Sequence, residues 1–289
     1  MNERLIQHKD VQLCTQSFGQ VGRPTVLLIM GATASMLWWD TSFCQQLARK
    51  GYFVIRYDNR DVGQSTTYTP GPPPYQLDDL VDDAMAIING YGLGQAHLVG
   101  MSLGGLIAQM AALKYPRRVK SLTLISTGPW GDSDPTIPEM DQRIVAFQAK
   151  RGEVDWTDEQ AVVEYMSQGA HLMSGRKPFD KNRHEQLIRT ELKRATNYVS
   201  MFNHAFLQGG EGYYGRVSEI KQPTLLIHGT DDVIWSYKHT DVLLAELDDA
   251  HRITLEGTGH ELHAADWDKI ISGIADHISS LVPSFKVRH

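Results

Sequence analysis

The chain has 289 residues, 42% hydrophobic and 21% charged, a globular composition that excludes a disordered polymer. Its 34 acids outnumber its 28 Lys and Arg, giving a net charge of −6, whereas a phosphate backbone requires a positive face, so no nucleic-acid partner is expected. Two cysteines, Cys14 and Cys44, make neither a disulfide framework nor a metal cluster; they read as reduced thiols of a cytoplasmic protein. The opening stretch mixes acids and bases without an apolar run, which is no secretory signal. No segment reaches the roughly 18 consecutive apolar residues of a membrane span, so no membrane association is expected.

Within the first 20 residues a strand pair is expected. Near-continuous apolar runs follow at Val26–Met30, Phe53–Tyr57, His97–Gly100, Leu122–Ser126 and Thr224–His228, and Arg252–Glu256 is one more. Runs of that length suit strands covered on both faces, as in a parallel sheet. Between them lie helical patterns. Leu77, Leu80, Val81, Ala84, Ile87 and Ile88 share one helical face. Leu103–Tyr115 stops at Pro116, which cannot continue a helix, and Trp267–Leu281 gives a closing amphipathic helix. Strand and helix in alternation imply an α/β sheet with right-handed crossovers. The rhythm breaks over residues 128–217, where helical patterns occur around Asp158–Gln168 and Arg183–Phe206 without a convincing strand. This divides the chain into a core, 1–127 with 218–289, and a helical cap or lid, 128–217. Gly- and Pro-containing segments at the ends of the cap suit opening motions.

Gly100-Met101-Ser102-Leu103-Gly104 fits the Gly-x-Ser-x-Gly elbow, with an apolar strand before it and a helix pattern after it. A sharp turn there lifts the Ser102 hydroxyl above the sheet. The glycines relieve crowding, and the helix N-terminus aims free N–H groups at the reacting oxygen. A serine hydroxyl needs a base to take its proton. Among 12 histidines, His260 follows Gly257-Thr258-Gly259 directly after a predicted strand, at the sheet edge where Ser102 also lies. His263 is its nearest rival and fits better as the start of the next helix. The base needs an acid, and Asp231 and Asp232 follow another strand; either one can reach His260. The chain order Ser, Asp, His is the order stated for this kind of fold. Two backbone donors complete an oxyanion hole, the N–H of Leu103 and, after the Val26–Met30 strand, that of Ala32.

These motifs resemble the α/β-hydrolase superfamily with a helical cap. The resemblance rests on Met30-Gly31-Ala32, the Asp58–Ser65 run, Gly100–Gly105, His228-Gly229-Thr230-Asp231-Asp232 and Gly259-His260. It implies an α/β-hydrolase fold, with a mostly parallel sheet flanked by helices and the cap inserted before the acid-bearing strand. It implies Asp232, not Asp231, as the acid, and a structural role for the motif of Arg60. The Met30-Gly31 pair looks closest to aclacinomycin methylesterase-like esterases. Most relatives have His-Gly there, so Met30 departs from any bracing role of a histidine side chain at that position. A serine at the elbow excludes the epoxide hydrolases and haloalkane dehalogenases, which use aspartate, and Leu103 departs from the tryptophan of proline iminopeptidase elbows.

The expected function is a serine-dependent carboxylic ester hydrolase acting on a small or medium apolar ester through an acyl-enzyme. A carbon–carbon bond hydrolase and a cofactor-free perhydrolase share the same triad, and a non-catalytic small-molecule binding protein shares the scaffold. Met36, Trp38, Trp130 and Trp235 are candidate pocket residues, with Trp39 beside them in the sequence. No cofactor and no metal are expected, since each role has a residue. The expected assembly is a monomer or a homodimer.

Overall fold

A computed structural model describes residues 3–131 and 134–281. The expected division into core and cap also takes in residues 1–2, 132–133 and 282–289, which lie outside the described residues. Eight strands form one sheet in the order β1-β2-β4-β3-β5-β6-β7-β8. The leading pair, β1 (Arg4–His8) and β2 (Val11–Phe18), is antiparallel, and β2 joins β4 (Phe53–Tyr57) antiparallel. From β4 onward every neighbour is parallel: β3 (Thr25–Ile29), β5 (Ala96–Met101), β6 (Val119–Ile125), β7 (Thr224–Gly229) and β8 (Ala250–Leu255). This is an α/β-hydrolase architecture, as expected from the motifs.

The apolar runs are continuous because both faces of the sheet are covered. Along β3, Leu27 and Ile29 face a cluster containing α2 (Leu77–Gly90) and α3 (Leu103–Lys114). The alternate residues Val26 and Leu28 face α1 (Thr41–Arg49) and α8 (Trp267–Ser280). Helix α3 buries residues all around its circumference, which explains its uniformly apolar sequence.

Between β6 and β7 the described residues contain helices and no strand: α4 (Gln142–Ala149), α5 (Glu159–Met173), α6 (Lys181–Arg194) and short 3-10 segments, including Val199–Phe206. The single helical pattern expected over Arg183–Phe206 is therefore two elements. The break has a tertiary cause. The Thr196 amide donates to the Gly63 carbonyl at 2.9 Å, which draws the chain out of the helix onto the Asp58–Ser65 turn. Helices α1 and α4 are additions to the sequence reading, each opened by an aspartate cap, Asp40 or Asp141, that bonds an amide two residues on. A third addition is α7 (His239–Glu246). Among the described residues no helix is long and apolar enough to cross a membrane.

Candidate active site

Ser102 stands between β5 and α3 with φ 53° and ψ −120°, a backbone conformation that an L-residue adopts only under constraint. The constraint is visible. The Ser102 amide donates to Ile125 on the neighbouring strand at 2.9 Å, and the Ser102 carbonyl accepts from the Gly105 amide at 2.8 Å and from Thr127 Oγ1 at 3.0 Å. The close approaches are built from glycine. A Cβ on Gly104 would sit 2.1 Å from the Ile29 carbonyl oxygen, so only glycine lets α3 start directly beneath the end of β3. A Cβ on Gly31 would lie 3.1 Å from Ser102 Cβ, so the loop after β3 runs against the elbow itself. Leu103 is the first residue of α3, and its N–H has no acceptor within the helix.

Asp232 follows β7 and His260 follows β8. His260 Nδ1 lies 2.9 Å from Asp232 Oδ2. Asp232 is buried, and its Oδ1 accepts the amides of Ile234 and Trp235, both at 2.9 Å. A second histidine serves the same carboxylate: His228 Nε2 lies 2.8 Å from the Trp235 carbonyl and 3.3 Å from Asp232 Oδ2. Burial alone would raise the Asp232 pKa. The opposing pull of His260 and His228 is larger, and the carboxyl titrates well below the ordinary carboxylate range. Because Asp232 is an acceptor, His260 carries its proton on Nδ1 and presents a lone pair on Nε2. Asp231 turns the other way, with its carboxylate held by Arg176 and its amide on the Thr258 carbonyl. His263 caps the short helix before α8 and reaches the Pro178 carbonyl. Ser102 and His260 lie on the same sheet edge without a direct hydrogen bond in this state; such contacts often tighten only with substrate bound.

The segment between β6 and β7 grips both sides of this edge. The His260 amide donates to Met173 at 2.8 Å, and the Arg176 amide to Gly257 at 2.9 Å. On the other side, the Thr33 amide donates to His204 Nδ1 at 3.0 Å, and the Ser35 amide to Glu191 Oε1 at 3.1 Å. Asp58 Oδ1 accepts the Met36 amide at 2.8 Å while its Oδ2 pairs with Arg194 at 2.7 Å. Glu191 is fully enclosed, and burial pushes its carboxyl up to about 7. Burial also lowers the His204 pKa, which keeps that ring neutral. Arg60 forms a two-bonded pair with Asp83 at 2.7 and 2.9 Å, a structural use of the motif.

The candidate pocket residues take different places. Met36 and Trp39 are fully buried. Trp38 is half-buried beside the His184 ring, with centroids 6.1 Å apart. Trp130 donates from its indole to the Gly210 carbonyl at 2.8 Å. Trp235 packs edge-on to His239 while its own backbone serves Asp232 and His228. Met30 lies in the apolar cluster against α1 and α8. Among the described residues no group of three or more His, Cys, Asp or Glu side chains is arranged to hold a metal.

Comparison with known proteins decides the family. The family model described as alpha/beta hydrolase fold matches residues 24–265. The chain belongs to the α/β-hydrolase family. Within the α/β-hydrolases it is 29% identical over 295 residues to the rhodomycin D methylesterase DauP of Streptomyces sp. (strain C5), covering 96% of this chain and 98% of that protein. It is 28% identical over the same span to the rhodomycin D methylesterase DnrP of Streptomyces peucetius, again covering 96% and 98%. Among solved structures, the esterase EaEST from Exiguobacterium antarcticum superposes with a TM-score of 0.77 at 17% identity, covering 95% of this chain and 98% of that one, a likeness of fold. Ser102, Asp232 and His260 are the candidates that the glycines and strand ends of the sequence point to. The contacts of His204 and Glu191 with the loop after β3 have no sequence signal, and His228 enters the sequence reading only as part of a motif.

Proposed function

We propose that this α/β-hydrolase is a serine-dependent carboxylic ester hydrolase acting on a small or medium apolar ester. The observation that carries the reading is the Asp232–His260 hydrogen bond at the same sheet edge as a serine held at positive φ. The full-length likeness to two methylesterases supports an ester as the bond cleaved. Ser102 Oγ attacks the ester carbonyl and its proton passes to His260 Nε2. The carbonyl oxygen becomes an oxyanion facing the N–H groups of Ala32 and Leu103. Thr33, the other amide of that turn, is already committed to His204, which favours Ala32 as the donor. The tetrahedral carbon then expels the alkoxide, which leaves as the alcohol with the proton from His260. Water, deprotonated by His260, attacks the acyl-enzyme and releases the acid and Ser102. Asp232 holds the imidazole in this tautomer throughout and offsets its charge when protonated. Residues 128–217 are read as the cap that shapes the substrate site, with Met36, Trp38, Trp130 and Trp235 as candidates for its lining. The two buried free thiols fit a cytoplasmic setting, and the assembly is proposed to be a monomer or homodimer.

The test is hydrolysis of p-nitrophenyl esters from acetate to long-chain acyl, with wild type and Ser102→Ala side by side. Turnover that vanishes in Ser102→Ala supports the reading, and the chain-length profile sizes the acyl site. Turnover retained by the variant removes Ser102 as the nucleophile. No ester turnover at all would shift weight to carbon–carbon cleavage, to perhydrolysis or to binding without chemistry.

A further inference from the structure

The loop that carries the proposed oxyanion donor has no sheet partner, and its Thr33, Ser35 and Met36 amides are each bonded to a side chain. At its centre is the peptide unit joining Ala32 and Thr33. Thr33 takes φ 63°, a left-handed turn that a β-branched residue adopts only when held. Both polar ends of that peptide are occupied. Its N–H donates to His204 Nδ1 at 3.0 Å, and its carbonyl accepts from Thr33 Oγ1 at 2.6 Å. On the far side of the ring, His204 Nε2 lies 2.7 Å from the Arg60 carbonyl. A carbonyl only accepts and an amide N–H only donates, so Nε2 carries the proton and Nδ1 the lone pair. His204 is thus a neutral bridge with both nitrogens used, 6% exposed, from the 3-10 helix Val199–Phe206 to the turn after β3. The residue it leans on is itself fixed, since Arg60 is pinned by Asp83. Glu191 and Asp58 hold the next amides of the loop, Ser35 and Met36, and Asp58 is in turn paired with Arg194 of α6.

With the Ala32–Thr33 peptide plane locked, only the φ and ψ of Ala32 lie between that plane and the Ala32 N–H. We propose that His204 is a positioning residue for the reaction: it fixes the Ala32–Thr33 peptide so that the neighbouring Ala32 N–H stays aimed at the developing oxyanion. Its catalytic consequence rests on the ester hydrolase reading; the brace itself does not. Because the interaction orients a donor used in the transition state, its loss lowers kcat more than it raises KM.

Three variants are compared with wild type: His204→Ala, His204→Leu, which keeps most of the volume, and His204→Asn, whose Oδ1 can replace Nδ1 as acceptor. Thr33 amide protection is read by hydrogen exchange, and kcat and KM on a p-nitrophenyl ester by steady-state kinetics. Expected are faster exchange at Thr33 in the Ala and Leu variants and a fall in kcat of about 10- to 100-fold, less than complete loss of a donor would give. KM should stay within about threefold, and His204→Asn should restore both protection and rate relative to Ala and Leu. Unchanged Thr33 exchange or a kcat within about twofold of wild type in a folded Leu or Ala variant overturns the proposal. A loss as large in Asn as in Leu overturns it too, because that points to packing alone. Should Ala fail to fold, the Leu–Asn comparison decides. If wild type hydrolyses no ester, or if Ser102→Ala keeps turnover, it is the ester hydrolase reading that falls, and the exchange comparison still decides whether His204 holds the loop.

Discussion

The backbone at Ser102 offers a sharp test of how this elbow is maintained, through two replacements that both remove the hydroxyl. At φ 53° and ψ −120° a side chain with a Cβ is strained, and strain of this kind costs on the order of 1–3 kcal/mol. Alanine keeps the Cβ and keeps the strain. Glycine releases it, at an entropic cost of about 0.5–1 kcal/mol for its freer unfolded chain. The difference leaves Ser102→Gly more stable than Ser102→Ala by roughly 1 kcal/mol. For 289 residues the unfolding entropy at Tm is on the order of 600 cal/mol/K, so each kcal/mol moves Tm by roughly 1.5–2 °C. Ser102→Gly should therefore melt about 2 °C above Ser102→Ala by scanning calorimetry, with the same order in urea midpoints at equal m. Both variants should be equally inactive on esters, so neither an acyl-enzyme nor bound product contributes to the gap. A glycine variant melting at or below the alanine variant would refute the claim that the hydrogen bond to the Ile125 carbonyl and those from Gly105 and Thr127 hold Ser102 against its own preference.

Three further substitutions address the acid and the loop brace. Asp232→Asn should lower kcat by about 10⁴ at neutral pH, because the Ile234 and Trp235 amides claim the side-chain oxygen and leave the Nδ2 group facing His260, which must then shift its proton to Nε2 and stop acting as base. Asp231→Asn, which disturbs a surface pair with Arg176 and a bond from Thr230 Oγ1 but no contact with His260, should leave kcat within about threefold; the reverse pattern in steady-state kinetics would move the acid one residue back. Glu191 gives a stability prediction with a definite sign. Its folded pKa is raised to about 7 from an ordinary 4.5, so the folded state keeps the proton longer than the unfolded chain does. Stability is undiminished below pH 4.5, falls between 4.5 and 7, and is level above 7, a total on the order of 3 kcal/mol. Glu191→Gln removes that slope, so the variant should gain on wild type as pH rises through this window in urea unfolding; parallel curves would show that Glu191 titrates normally.

The parts that were legible in the sequence are those whose cause is local. Strands β3 to β7 are buried on both faces nearly throughout, so each appears as a near-continuous apolar run, and α3 is largely apolar around its circumference for the same reason. The elbow is legible because glycine is needed at fixed offsets from Ser102. The break between α6 and the 3-10 segment was not legible, because its cause is the carbonyl of Gly63, far away in the chain. Helices α1 and α4 have 9 and 8 residues, too few turns for a periodicity to stand out, although Asp40 and Asp141 were cap signals in plain sight. Asp231 and Asp232 are adjacent and chemically identical; only the direction each side chain takes, toward Arg176 or toward His260, separates them. Nothing in Asn203-His204-Ala205-Phe206 announces a brace, because the partner of His204 is a backbone amide 171 residues away.

That contrast bears on how the inserted helices can move. The groups proposed for chemistry sit at strand ends, where local sequence puts them, but some of the bonds that steady His260 and the loop after β3 come from between β6 and β7. The His260 amide depends on Met173, the Thr33 amide on His204, and the Ser35 amide on Glu191. Departure of the whole segment as one body would strip these partners together and leave buried amides, a carboxyl and an imidazole to be hydrated at once. Gly- and Pro-containing ends are thus insufficient for a freely swinging lid. Substrate entry that keeps these bonds must instead displace parts of the segment that hold none of them, while α6, the C-terminal end of α5 and the 3-10 segment at His204 stay in place.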